Sequence, residues 1–208
     1  MHSQGDIAVK PAGRLPVYHG RRLILALFAV SLFFLPLGVP AADDTTGAFK
    51  VIELGAEKGD EAYLLNAQMD ITLSSGPREA LENGVPLVFE LQIQTLENHV
   101  WIWDTVIAEY KQTRQVQFHA LSRTYLVKDI DTGAQRSYTK LADALRAAGF
   151  VHNFPVLDYG LMKDGQSYSV RLRGSLDIEA LPTPVRLLAY VSSAWDMDTE
   201  WYKWQLTQ

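Results

Sequence analysis

The stretch VPLVFELQIQTLE (Val85–Glu97) decides how the rest of the chain is read. Val85, Leu87, Phe89, Leu91 and Ile93 recur at every second position, against Glu90, Gln92 and Gln94. A period of two puts the first set on one face of a strand and the second on the other, so one side suits a core and one suits water. Upstream, EAYLLNAQMDITL (Glu61–Leu73) repeats the pattern. Its Leu65, Ala67, Met69, Ile71 and Leu73 oppose Asn66, Gln68, Asp70 and Thr72. Downstream, a turn at Glu97-Asn98 leads into HVWIWDTVIAEY (His99–Tyr110), a strand on which Trp101 and Trp103 share a face. QTRQVQFHALSRTYLVKDID (Gln112–Asp131) supplies one or two more strands, and Asp131-Thr132-Gly133 another turn.

Two segments break the period. SSGPREALENG (Ser74–Gly84) reads as a short helix with Ser75 as its cap, Pro77 in the first turn and Gly84 as the stop. In KLADALRAAGF (Lys140–Phe150), Leu141, Ala144, Leu145 and Ala148 make an i, i+3, i+4, i+7 stripe, and Gly149 ends a helix of ordinary length. The last third reads as extended. Tyr168, Val170 and Leu172 alternate with Ser169, Arg171 and Arg173, a bulge is expected at Gly174, LPTP interrupts pairing, and WDMDTEWYKWQL (Trp195–Leu206) forms the closing strand. The expected fold is mainly β, an antiparallel β-sandwich-like single domain over residues 48–208 with one ordinary and one short helix.

The N-terminus indicates a route out of the cytoplasm. Arg14, Arg21 and Arg22 precede the apolar run LILALFAVSLFFL (Leu23–Leu35), which Pro36, Gly38 and Pro40 break before Ala41 and Ala42. These are the parts of a secretory signal with its cleavage region at Ala41-Ala42. Extending the count through Ala42 gives twenty mostly apolar residues, so residues 1–41 read as a signal peptide or an N-terminal membrane anchor, and 42–47 as a polar tether. Either reading places the remaining part, roughly 165 residues, outside the cytoplasm in the periplasm, touching the membrane only through the N-terminal segment. Residues 1–41 hold four of the chain's 19 Lys/Arg and one of its 24 acidic residues, which leaves the remainder at a formal charge of −8. Such a domain lacks the clustered positive charge that nucleic acid requires. With no cysteine, thiolate metal sites, disulfides and a cysteine nucleophile are excluded.

The chemical constellations are weak. Asp196, Asp198 and Glu200 resemble the start of a calcium loop, but no glycine follows, and on a strand the outer two stand about 13 Å apart, too far for one ion. They read as a solvated face. Trp101, Trp103, Trp201 and Trp204 are candidate aromatics for a small lipid or saccharide, against the alternative that they pack within the domain. A cell-wall hydrolase would need two carboxylates facing each other across a cleft. Glu90, Glu97, Asp104 and Glu109 could supply them, but nothing in the sequence picks out a pair. His119 and Ser122 lie close without a nucleophile elbow, and His99, His119 and His152 have no ligand spacing. No catalytic residue, metal ligand or cofactor site is assigned. The local positive feature is Arg171 and Arg173 with Arg186, a candidate contact for another protein.

Several stretches taken together carry a family likeness: EALENGVPLVFELQIQ (Glu79–Gln94), W-x-W-D-x-x-I (Trp101–Ile107), FHALSRTYLV (Phe118–Val127), LADALRAAG, and the run from Tyr168 through RLRGSLDIEALPTPVRL to EWYKWQL. In order and spacing the chain resembles the proteobacterial DUF4390 family of exported proteins of unknown function. It departs at RSYTKL (Arg136–Leu141), where the family more usually reads Arg-x-Phe-Pro. The resemblance implies one secreted or membrane-anchored domain and no assigned activity. Relatives are often encoded near a membrane sensor kinase, which implies an envelope partner. The expectation is a non-enzymatic accessory domain that contacts an envelope protein. The alternatives are a small-ligand carrier and, third, a hydrolase.

Overall fold

The structure is a computed structural model, described over residues 47–101 and 103–206. The signal or anchor segment, the cleavage region at Ala41 and Ala42, and most of the tether lie outside the described residues. Within them are nine strands: β1 (Ala48–Lys58), β2 (Ala62–Thr72), β3 (Leu87–Asn98), β4 (Thr105–His119), β5 (Thr124–Asp129), β6 (Gln135–Tyr138), β7 (Phe150–Asp158), β8 (Ser167–Leu176) and β9 (Tyr202–Leu206). Three α-helices interleave them: α1 (Ser75–Glu82), α2 (Leu141–Ala148) and α3 (Thr183–Val191). A three-stranded sheet in the order β1-β2-β7 faces a six-stranded sheet in the order β6-β5-β4-β3-β8-β9, and every pairing is antiparallel. The mainly β, two-sheet architecture is the expected one.

The period-two stretches define the core. Leu65, Ala67, Met69, Ile71 and Leu73 are buried on one side, and Leu87, Phe89, Leu91 and Ile93 on the other. Each large apolar side chain taken fully out of water contributes about 1.5–3 kcal/mol. Three contacts stitch the sheets together. Phe49 of β1 meets Phe89 of β3 edge to face at 5.9 Å, and Tyr110 of β4 meets Phe154 of β7 at 5.2 Å. The buried Thr95 hydroxyl on β3 donates to the Val156 carbonyl on β7 at 2.6 Å, which satisfies two polar groups inside the core.

Several local readings need correction. The helix N-cap is Ser74, not Ser75, and its hydroxyl is spent on the Ala194 carbonyl instead of the helix. Pro77 and Gly84 (φ 84) stand where expected, near the two ends of α1. Asn98 still belongs to β3, so the turn runs from 99 to 104 and takes Trp101 and Trp103 off any strand. The alternation of β3 ends because a register shift against β4 leaves Ile107 unpaired, and Thr95, Leu96 and Glu97 all become buried. The last third is not all extended: TPVRLLAYV forms α3, with proline in its first turn, where a missing N–H costs nothing. The closing strand is only Tyr202–Leu206. The preceding segment follows β8 irregularly through Leu176 N–H to Met197 O and Thr199 N–H to Gly174 O. Asp196, Asp198 and Glu200 are exposed on that segment, a solvated side without a strand to hold it.

There is no bulge at Gly174, because β8 keeps register with β3 through it. The residue is glycine for space: an added Cβ would stand 2.6 Å from Phe49 Cδ1 and 2.8 Å from Met69 Cε. Gly149, after α2, is tighter still, with an added Cβ 2.2 Å from the Met69 carbonyl oxygen. Gly149→Ala is therefore expected to destabilise the domain by about 1–3 kcal/mol, because backbone must move to admit the methyl group. Gly174→Ala meets only side-chain atoms and should cost less. Urea denaturation of the two variants checks the ranking.

Candidate functional site

The face of the six-stranded sheet turned away from the core collects the polar alternates. Register places Gln92 opposite Arg173 and Gln94 opposite Arg171, with Lys203 of β9 beside Arg171. Arg171 donates from Nε and Nη2 to Gln94 Oε1 at 2.8 and 2.6 Å, and Arg173 donates from Nη2 to Gln92 Oε1 at 2.7 Å. Trp201, the residue before β9, covers both guanidiniums, whose carbons stand 4.5 and 5.0 Å from its ring. Each cation is thus fixed between an amide oxygen and an indole face, an arrangement worth about 0.5–2 kcal/mol per cation–π contact. No carboxylate oxygen among the described residues lies within 4.0 Å of either guanidinium. Arg173 Nε is covered and has no hydrogen-bond partner. Two pre-oriented guanidiniums without a counter-ion are suited to a carboxylate or another planar anion.

The candidate residues are thus partly brought together. Arg171, Arg173 and Trp201 form one cluster. Arg186 stands on α3 and not on the strand face: its Nη1 donates to the Glu179 carbonyl at 3.0 Å and lies 3.5 Å from the Glu179 carboxylate. Trp204 alternates to the other side of β9 and lines a cleft of about 600 Å³ with Ile52 and Tyr202. Trp101 and Trp103 sit in the β3–β4 loop, each 93% exposed. Trp195 lines a separate cleft, of about 410 Å³, apart from the one that Trp204 lines. Gln92 and Gln94 were legible only as the polar side of a strand; the signal for their role was their place opposite an arginine-bearing strand.

Most of the other candidate side chains have local partners. Glu90 pairs with Lys111, the buried Glu97 with Lys163 at 2.9 Å, and Asp104 with Lys203 at 2.6 Å. His119 Nδ1 lies 3.4 Å from Ser122 Oγ in an exposed turn, where Ser122 is also 2.7 Å from Thr124 Oγ1. His99 meets Thr105, and His152 meets Asn66 at 2.8 Å. No group of three or more His, Asp or Glu among the described residues is placed to hold a metal ion. No helix among them is long and apolar enough to cross a membrane.

The fold and this surface define an antiparallel β-sandwich whose distinctive polar cluster lies on an open sheet face. The chain belongs to the family described as Domain of unknown function (DUF4390), whose model matches residues 47–205, as the sequence resemblance led one to expect. No curated protein and no solved structure matches it.

Asp104 ties the β3–β4 loop to β9, and the hydrogen bond from Lys203 holds its carboxyl below the ordinary 3.8. A depressed folded value means the contribution is present above the unfolded value and is lost as pH falls through the folded one. Asp104→Asn is expected to lower the melting temperature slightly at pH 7, and the difference should vanish well below pH 3.8. Paired melts at the two pH values check this.

Proposed function

We propose that this protein is exported to the cell envelope and acts there as a non-enzymatic accessory domain, binding another envelope protein through the Arg171–Arg173–Trp201 cluster. The observation that carries the reading is the pair of guanidiniums held by Gln94, Gln92 and Trp201 with no carboxylate partner, in a portion of the chain whose formal charge is −8. Ordinary strand-face arginines in an acidic domain would be expected to take cross-strand ion pairs. These two are oriented without being neutralised, which suits an acidic segment of a partner. The tryptophan cover adds flat apolar area beside the charges, and arginine with tryptophan is the composition that dominates binding energy at protein contacts. Export is supported by the basic residues and apolar run of the N-terminus. The family's association with sensor kinases makes such a kinase the first partner to examine. The carrier reading calls for a cavity lined by several tryptophans, and the clefts at Trp195 and Trp204 each hold one among the described residues.

A crosslinking pull-down with the tagged full chain, from envelope membranes, tests the proposal. Wild type is expected to recover a reproducible membrane protein. The Arg171→Glu, Arg173→Glu double variant should lose at least tenfold of that recovery, and Arg186→Glu should retain it. Equal recovery by wild type and both variants, with folding verified by circular dichroism, would overturn the assignment. A bound small molecule with no protein partner would favour the carrier instead.

A further inference from the structure

Helix α3 is turned inside out relative to the usual surface helix. Pro184, Leu187, Leu188 and Val191 stand at i, i+3, i+4 and i+7, the stripe that ordinarily faces a core. Here it faces outward: Leu187 is 63%, Leu188 64% and Val191 82% exposed, with Tyr190 beside them at 54%. Inward, only Ala189 is buried, and Val185 and Arg186 are half-buried. The one charge on the helix, Arg186, is engaged by Glu179, so the outward stripe is uncharged.

The start of the described chain indicates what covers this stripe. Gly47 lies against Met197, close enough that an added Cβ would come within 2.6 Å of Met197 Cγ and Sδ. Met197 lines the same cleft, about 410 Å³, as Tyr190 and Val191. Gly47, the first described residue, therefore stands at the end of the domain that carries α3. The sequence before it includes the apolar run Leu23–Leu35, and the twelve residue steps from Leu35 to Gly47 span at most about 40 Å. With that run retained in a membrane, Gly47 stays within that distance of the lipid. We propose that α3 rests on this lipid surface, with Leu187, Leu188 and Val191 at the acyl boundary and Tyr190 at headgroup level, as tyrosine prefers. Glu179 accepts from both Arg186 and the Tyr190 hydroxyl, and Asp196 and Asp198 line the cleft beside Tyr190 and Val191, so the neighbouring charge is mostly acidic and the contact is hydrophobic, suited to zwitterionic headgroups. A nine-residue helix binds lipid weakly alone. The tether raises its effective concentration at the surface.

The chain has no cysteine, which makes labelling direct. Full-length Val191→Cys and Val100→Cys, each carrying an environment-sensitive fluorophore, would be reconstituted into phosphatidylcholine vesicles containing nitroxide-labelled lipid. Val100 is 89% exposed in the β3–β4 loop and serves as the reference. The label at 191 is expected to be quenched at least threefold more than the label at 100, independently of salt. Adding Leu187→Asp and Leu188→Asp should abolish the difference while the chain still floats with the vesicles. Equal quenching at both positions, or stronger quenching at 100, would overturn the proposal. So would a label at 191 that is shielded by protein concentration instead of lipid, which would assign the stripe to a second copy of the chain.

Discussion

The structure depends on the space left around Met69. This residue sits in β2, fully buried, and two glycines from distant parts of the chain make room for it. Gly174 lets the Met69 side chain and the Phe49 ring lie directly on β8, which closes the distance between the sheets. Gly149 lets the chain leaving α2 pass against the Met69 backbone, and its carbonyl accepts the Met69 N–H at 2.9 Å. That hydrogen bond starts β7 on the free edge of β2. Neither glycine has a positive φ, so their shared requirement is close approach and not backbone freedom.

The same constraint fixes the polar surface. Once Leu172 and Gly174 face the core, Arg171 and Arg173 must face away, because a one-residue slip would exchange the two sets. Pairing with β3 then sets Gln94 and Gln92 beside them. This much follows from alternation, and β2, β3 and β8 were legible in the sequence for that reason. Trp201 was legible as an aromatic but not as a neighbour of the arginines. Its position depends on hydrogen bonds from Leu176 and Thr199 that hold an irregular segment along β8, and no local pattern encodes them.

The elements that escaped the sequence each break a local rule. Strand β7 contains Pro155 and Asn153 in a left-handed conformation, and its register against β2 shifts twice. It passes for a loop by composition. The aromatic run at Val100–Trp103 has strand propensity, yet His99 N–H to Asp104 at 3.4 Å and the Asp104–Lys203 pair close it into a turn. Helix α3 has a helical stripe, but Pro182 just before it, Pro184 in its first turn and a β-rich context favour the extended reading. Only tertiary structure reveals that the stripe faces water.

The two exposed tryptophans and the arginine cluster are mechanically joined. Asp104 belongs to the loop that presents Trp101 and Trp103, and it grips Lys203, which is paired across strands with Arg171. Lys203 is also two residues from Trp201, the cover on both guanidiniums. Movement of the loop therefore acts on the strand that holds the indole in place. The loop tryptophans and the arginine cluster are thus linked through one short strand, β9, by way of Lys203.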